Sequence, residues 1–229
     1  MRLSLQNKVL LSLGVVAGIG ALAGAGTFAT FTAQTTNPSN TFANGTLVLS
    51  NQVNGGAVCL STGGGNTDVN NNGSCSTAFN LAVKKPGDSG TSDIILENAG
   101  SLAASALKVY SASCTNGDAT GETYHGTGSP CGVVQIYIQQ YSDNFTTESA
   151  CLYGGATGNI CDFSDTSKTL SAFVTAHGSL GAGQSAGSLA ASGGADTTWI
   201  RIGVKLPSTA DNTYQGRSAT MALNWHITQ

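Results

Sequence analysis

The residues best suited to chemistry in this sequence include three histidines, which are far apart along the chain. They are His125, His177 and His226, and no H-E-x-x-H pair is present. A zinc-dependent protease places two ligands one helical turn apart in that motif. The sequence therefore favours isolated histidines over a catalytic zinc, and we expect no catalytic residue and no metal or other cofactor.

Acids and serines offer two further kinds of site. Asp143, Glu148, Asp162 and Asp165 lie close enough in sequence to suggest a calcium ion, but their spacing matches no known calcium loop. Solvated loop acids are the simpler interpretation. Serine is abundant, yet no G-x-S-x-G elbow lies between a predicted strand and a predicted helix, as a serine hydrolase requires.

The six cysteines point to disulfides rather than to a metal. The closest two are ten residues apart, whereas thiolate zinc sites use close pairs such as C-x-x-C. Six cysteines allow about fifteen pairings. Sequence neighbours are the best candidates, because each pair brackets a Gly/Asn/Ser/Thr-rich stretch, and closing such a loop would stabilise by about 2–4 kcal/mol. The candidate pairs are Cys59 with Cys75, Cys114 with Cys131, and Cys151 with Cys161.

The N-terminus has the layout of a secretory signal peptide. Arg2 and Lys8 precede an uncharged apolar stretch, Val9 to Ala25, and Thr27-Phe28-Ala29 supplies small residues at the positions that a signal peptidase reads. We predict a signal peptide over 1–29, cleaved between Ala29 and Thr30. An uncleaved membrane anchor, or an archaeal-pilin-like signal cut before the apolar stretch, are the alternatives.

Composition supports an extracellular protein. Only 9% of residues are charged, against about 25% in typical soluble domains. Without residues 1–29, seven basic residues face twelve acidic ones, so we expect no nucleic-acid partner. Because 40% of the residues are hydrophobic, a packed core is expected instead of disorder.

Short alternating or apolar segments between turn-rich stretches predict an antiparallel β-sandwich with long disulfide-stapled loops over residues 46–229. In the last predicted strand Ala219, Met221, Leu223 and Trp225 form one face. In Val133–Tyr141 the two faces are Val134, Ile136 and Ile138 against Val133, Gln135, Tyr137 and Gln139. The predicted strands are Thr46–Gln52, Ala78–Val83, Thr91–Asn98, Ala106–Ser111, Val133–Tyr141, Trp199–Lys205 and Ser218–Ile227.

Three further segments have local signals. Lys85-Pro86-Gly87-Asp88 predicts a turn, since proline presets φ and glycine accepts positive φ. Thr166–Ala176 predicts a short helix with Leu170, Phe173 and Val174 inward, and Gly178–Gly194 is expected to be a surface loop.

Three groups of motifs resemble the TasA/camelysin family, whose signal is removed by a SipW-type signal peptidase. The first is Gly26–Phe31 followed by Asn40–Leu47, similar to the family's cleavage region and its "F-x-x-G-T-L" strand. The second is Lys85–Ser89 with Ile95–Leu102, similar to "K-P-G-D" and "N-x-G-S-L". The third is Leu206-Pro207 with Asp211–Gly216, similar to the "Y-Q-G" C-terminus. Residues 103–198 are not covered.

The resemblance implies a jelly-roll-like sandwich in a secreted, cell-surface or biofilm fibre. It also implies a head-to-tail homo-oligomer in which the mature N-terminal segment, residues 30–45, adds as a strand to the next subunit. The candidate donor residues are Thr30, Phe31, Ala33 and Phe42, in a segment without charges. A disordered tail is the alternative for this segment.

Two function classes follow. One is a fibre subunit whose other partner is the signal peptidase during export. The other is a secreted camelysin-like metalloprotease, or a cell-surface binding module, with the same fold.

Overall fold

The structure is a computed structural model and describes residues 45–64, 72–77 and 85–229. The predicted signal peptide, its cleavage point at Ala29 and Thr30, the donor residues Phe31, Ala33 and Phe42, and the predicted strand Ala78–Val83 lie outside the described residues.

The described residues form mainly short β-strands, one α-helix and three 3-10 turns. The strands are β1 Leu49–Val53, β2 Cys59–Leu60, β3 Ser89–Asn98, β4 Ala106–Tyr110, β5 Cys114–Asp118, β6 Gln135–Tyr141, β7 Glu148–Tyr153, β8 Gly155–Thr157, β9 Ile160–Asp162, β10 Gln184–Ser185, β11 Thr197–Lys205, β12 Arg217–Met221 and β13 Asn224–Thr228. The helix is α1, Leu170–Ala176, and the 3-10 turns are Ser61–Gly64, Pro130–Gly132 and Asn212–Tyr214.

All strand pairs among the described residues are antiparallel. The largest sheet has six strands in the order β2-β1-β3-β11-β6-β7, and a second sheet has three in the order β10-β4-β13. Two ribbons, β12-β5 and β8-β9, complete the set. The predicted all-β class with antiparallel pairing is confirmed.

The core lies between the two larger sheets. Ile94 and Leu96 of β3 and Ile200 and Ile202 of β11 contribute from the six-stranded sheet, and Leu107 and Val109 of β4 contribute from the three-stranded one; all six are fully buried. Because successive side chains of a strand point to opposite faces, each long strand contributes every second residue to this core. The architecture is a β-sandwich.

The last predicted strand, Ser218–Ile227, is wrong as a single element. The structure divides it into β12 and β13, which pair with β5 and β4 in different sheets. Its predicted inward face is correct, since Ala219, Met221, Leu223 and Trp225 all pack against the core. The alternation continues through the bend, so the pattern contained no sign of a break.

Helix α1 starts later than predicted. Thr169 is its N-cap, and its hydroxyl accepts a hydrogen bond from the Ala172 N–H at 3.2 Å. Upstream, the Asp165 carboxylate accepts a hydrogen bond from the Ser167 N–H. This bond closes a non-helical turn where the prediction placed the start of the helix. Leu170 and Phe173 are buried as predicted, and Val174 is half-buried.

The prediction of a surface loop over Gly178–Gly194 is wrong in part. Gln184–Ser185 is strand β10, paired with β4, and Leu189 bridges Ala104. Ala186 and Leu189 are each 2% exposed. Small side chains gave this stretch the composition of a loop although its backbone completes a sheet. By contrast, the predicted turn at Lys85–Asp88 is present, with Gly87 at φ +91°.

Candidate functional site

Three disulfides are present among the described residues, and each joins sequence neighbours. They are Cys59–Cys75, Cys114–Cys131 and Cys151–Cys161, and no described cysteine is free. Disulfides of this density are typical of proteins in an oxidising, extracellular environment.

The outer face of β6 carries buried glutamines, which the predicted alternation had placed away from the core. Gln139 is 2% exposed and Gln135 is 3% exposed. The Gln139 amide donates to the carbonyls of Gln140, Ala150 and Asn159, and its oxygen accepts from the Cys161 N–H at 2.6 Å. Every polar atom of this side chain therefore has a partner, as burial requires.

The hairpin β8–β9 is the cover that buries Gln139. It follows directly after β7, and the disulfide between Cys151 of β7 and Cys161 of β9 ties it down. The Cys161 sulfur lies 3.2 Å from the Ile138 carbonyl of β6. The disulfide thus closes a small second layer over the outside of the sheet, which alternation alone could not predict.

Next to this layer, Arg201 of β11 organises a cation–aromatic cluster on the same outer face. Its guanidinium donates to both Asp93 carboxylate oxygens, at 2.6 and 2.8 Å, and to the Tyr141 hydroxyl at 3.2 Å. It also lies 5.3 Å from the Tyr141 ring centroid and 5.5 Å from that of Phe145. The hydrogen bonds to Asp93 raise the pKa of Arg201 further above its usual value.

Tyr137 occupies the space beside Gly203, the residue opposite it on β11. A Cβ at Gly203 would lie 2.2 Å from the Tyr137 ring, so the glycine makes room for the aromatic side chain. The ring packs against that of Phe163 in a tilted arrangement with 4.9 Å between centroids, and its burial raises the pKa of Tyr137. This cluster was not found from the sequence, although the outward positions of Tyr137 and Gly203 follow from strand alternation.

The three histidines lie in three different settings. The His125 ring nitrogen Nδ1 is 2.7 Å from the Gly216 carbonyl, and the His177 Nδ1 is 2.8 Å from the Ala182 carbonyl. His226 lies on β13 opposite Lys108, and its buried Nδ1 has no hydrogen-bond partner in the part of the chain that the structure describes. Over residues 45–64, 72–77 and 85–229, no group of three or more His, Cys, Asp or Glu residues is arranged to hold a metal ion.

The acids considered as calcium ligands each serve a local turn. Asp143 accepts from the Thr147 N–H at 2.8 Å, Asp162 from the Ser164 N–H at 2.9 Å, and Asp165 from the Ser167 N–H at 2.9 Å. Hydrogen bonds from the neighbouring hydroxyls of Thr146, Ser164 and Ser167, together with these backbone bonds, hold the pKa values of the three carboxyls below their usual range. Glu148 lies at the start of β7.

The "Y-Q-G" segment is the docking point of the loop after β5. The Gly126 and Gly128 N–H groups donate to the Gln215 and Thr213 carbonyls at 2.8 and 2.7 Å. Gly216 has φ +65°, and a Cβ there would lie 1.9 Å from the Tyr124 carbonyl oxygen. Only glycine meets both demands, so this motif residue has a structural role.

Strand β13 is the candidate assembly site. In the described part of the chain it pairs only with β4, through five unbroken pairs, and its other side has no strand partner there. Trp225 and Ile227 point inward and pack against the core. An edge of this kind offers unpaired N–H and C=O groups to an added strand, with apolar contacts from alternate side chains.

The edges of the six-stranded sheet are less suitable. Strand β2 has two residues and carries Cys59 of a disulfide. Strand β7 pairs with β6 through two register shifts and is tied to the β8–β9 hairpin by Cys151. Bulges and short edge strands reduce the ability of an edge to accept another strand.

No protein-family model matches this chain, and no curated protein matches it significantly. The described helices include none that is long and apolar enough to cross a membrane. Fold and covalent structure thus define a disulfide-stapled antiparallel β-sandwich.

Proposed function

We propose that this protein is an extracellular structural subunit that polymerises head-to-tail into surface fibres. The observation that carries the proposal is the unequal pair of sheets: among the described residues, six strands face three, and β13 borders the narrower sheet. A strand added beside β13 would extend that sheet over the core.

The donor in this proposal is the uncharged segment Thr30–Phe42 of a neighbouring copy, with Phe31, Ala33 and Phe42 as apolar anchors. Each copy of the chain carries both a donor segment and an acceptor strand, and the donor of one copy binds the acceptor of the next. The contact is therefore heterologous, and a heterologous contact that does not close produces a filament.

Removal of the donor tests the mechanism. Mature protein starting at Thr30 is expected to form fibres in electron micrographs, and protein lacking Thr30–Phe42 is expected to remain monomeric in light scattering. Fibres that survive the deletion would exclude the strand-donor mechanism.

A matched pair of variants separates apolar anchoring from a general effect of the tail. Replacement of Phe31 and Phe42 by Asn removes the anchors and should abolish fibres, whereas Gln34→Asn with Thr35→Ser should leave them intact. An excess of a peptide with the sequence of residues 30–42 should stop growth by occupying β13, and a scrambled peptide should not.

A further inference from the structure

The chain contains three Asn-x-Ser/Thr triplets whose middle residue is not proline. They are Asn44-Gly45-Thr46, Asn72-Gly73-Ser74 and Asn144-Phe145-Thr146. This triplet is the acceptor signal for N-linked glycosylation, and it is used where the asparagine is accessible at the surface of an exported protein. Asn44 lies outside the described residues. The structure therefore gives the environment of two candidate acceptors, Asn72 and Asn144.

The amide of Asn72 is fully engaged. Its nitrogen donates to the Leu60 carbonyl at 2.9 Å and lies 3.3 Å from the Cys59 sulfur, while its oxygen accepts from the Ser74 N–H at 2.9 Å. These contacts hold the loop next to the Cys59–Cys75 disulfide. Attachment of a sugar replaces one amide hydrogen, so it would break a bond that fixes this loop.

The amide of Asn144 has the opposite environment. Asn144 is exposed at the tip of the β6–β7 turn, and its side chain makes no hydrogen bond with any described residue. The turn is closed without it, because the Asp143 carboxylate accepts from the Thr147 N–H and the Ser142 N–H donates to the Thr147 carbonyl at 3.0 Å. Modification of Asn144 therefore breaks no side-chain hydrogen bond among the described residues.

Phe145, the middle residue of this triplet, packs against the sheet and leaves Asn144 and Thr146 at the surface. Phe145 has φ +59°, a left-handed conformation that is strained for an aromatic residue. Its half-buried ring packs 5.7 Å from the Tyr141 ring and 5.5 Å from the Arg201 guanidinium. With Phe145 anchored on the sheet, Asn144 and Thr146 on either side are both exposed.

We propose that the protein is N-glycosylated at Asn144 and not at Asn72. The donor is an oligosaccharide linked to a polyprenyl phosphate or diphosphate. The Asn144 amide nitrogen bonds to C1 of the first sugar, the bond from C1 to the phosphate oxygen breaks, the lipid phosphate leaves with the electron pair, and the amide loses one proton. A membrane oligosaccharyltransferase catalyses this transfer.

The test is peptide-level mass spectrometry of the full chain isolated from the cells that produce it. The peptide containing Asn144 should carry a mass increment that releases sugar oxonium ions on fragmentation, and the peptide containing Asn72 should have its unmodified mass. An unmodified Asn144 peptide, or an increment on Asn72, would overturn the proposal.

Variants test whether the triplet is read. Asn144→Gln and Thr146→Val should each abolish the increment on this peptide, since the second removes the Thr146 hydroxyl, which in this structure also bonds to the Asp143 carboxylate. Thr146→Ser should retain it, and Asn72→Gln should not change it. An increment that persists in Thr146→Val would contradict N-linked transfer at this site. The proposal is independent of fibre assembly, so either can fail alone.

Discussion

Gln139 shows how a polar side chain comes to specify part of this fold. It lies on the outer face of β6, yet it is 2% exposed and bonds to β7, to the β8–β9 turn and to β9 itself. A buried amide with every partner in place fixes one arrangement, because any shift leaves polar groups unpaired at a cost of about 1–3 kcal/mol each.

We predict that Gln139→Leu lowers the free energy of unfolding by about 2–4 kcal/mol, because it leaves carbonyls and the Cys161 N–H without partners at nearly constant volume. The exposed Gln215→Leu serves as the control and should change stability by less than about 0.5 kcal/mol. Denaturant unfolding measures both. Equal effects of the two substitutions would refute a specific role of the Gln139 network.

Arg201 shows a second effect at the scale of single residues, because its guanidinium contacts both the Asp93 carboxylate and two aromatic rings. A double-mutant cycle with Arg201→Met and Asp93→Asn should give a coupling energy of about 1 kcal/mol, since the pair is bidentate but one-third exposed. A cycle of Lys168→Met and Asp165→Asn is the control, because that pair is 4.0 Å apart. A coupling near zero for Arg201 and Asp93 would show that the cluster is held by its aromatic contacts.

At the scale of elements, the contact between the "Y-Q-G" turn and the loop after β5 depends on Gly216. Gly216 and Gly158 have similar positive φ, +65° and +63°, but a Cβ would clash with the Tyr124 carbonyl at Gly216, whereas at Gly158 no described atom lies within 4 Å of it. The two positions therefore separate backbone strain from a steric clash.

We predict that Gly158→Ala destabilises by about 1 kcal/mol and that Gly216→Ala destabilises by at least about twice as much. The larger effect should be accompanied by faster hydrogen exchange at the Gly126 and Gly128 amides, which bond to this turn. Similar losses for the two variants, with unchanged exchange, would mean that the loop is not held by this contact.

For the molecule as a whole, acid should weaken the fold. Hydrogen bonds depress the pKa values of Asp143, Asp162, Asp165 and Asp211 in the folded state. A carboxyl with a depressed folded pKa stabilises above its unfolded pKa, about 4, and this stability is lost as the pH falls through the folded value.

We therefore expect Tm to be constant from neutral pH down to about pH 4 and to decrease below it. Differential scanning calorimetry between pH 7 and pH 2 would measure this. Replacement of all four aspartates by asparagine should reduce the decrease in Tm below about pH 4, because the turns would no longer depend on ionised oxygens. A Tm that increases on acidification would contradict the sign of these pKa shifts.

The proposed assembly is also decided at the scale of the whole molecule. Among the described residues, a six-stranded sheet faces a three-stranded one that β13 borders, and this is a relation between segments that are distant in the chain. The amino-acid pattern of Asn224–Thr228 alone identifies a strand and does not identify an edge.

Local features were largely determined by the sequence itself. Alternation located β3, β4, β6 and β11 to within about two residues, the Lys85–Asp88 turn is as predicted, and the disulfides join neighbouring cysteines. These features depend on residues close together in the chain, so a short stretch of sequence is enough to predict them.

Only the tertiary structure decided which outward faces are covered and where sheets begin and end. Gln135 and Gln139 are buried because the β8–β9 hairpin and the segment after it fold over β6, and Gln184–Ser185 is a strand because β4 lies beside it. Strands β12 and β13 separate because their partners lie in different sheets. Alternation in a strand predicts to which face of the sheet a side chain points. Whether that face is buried depends on which other part of the chain packs against it.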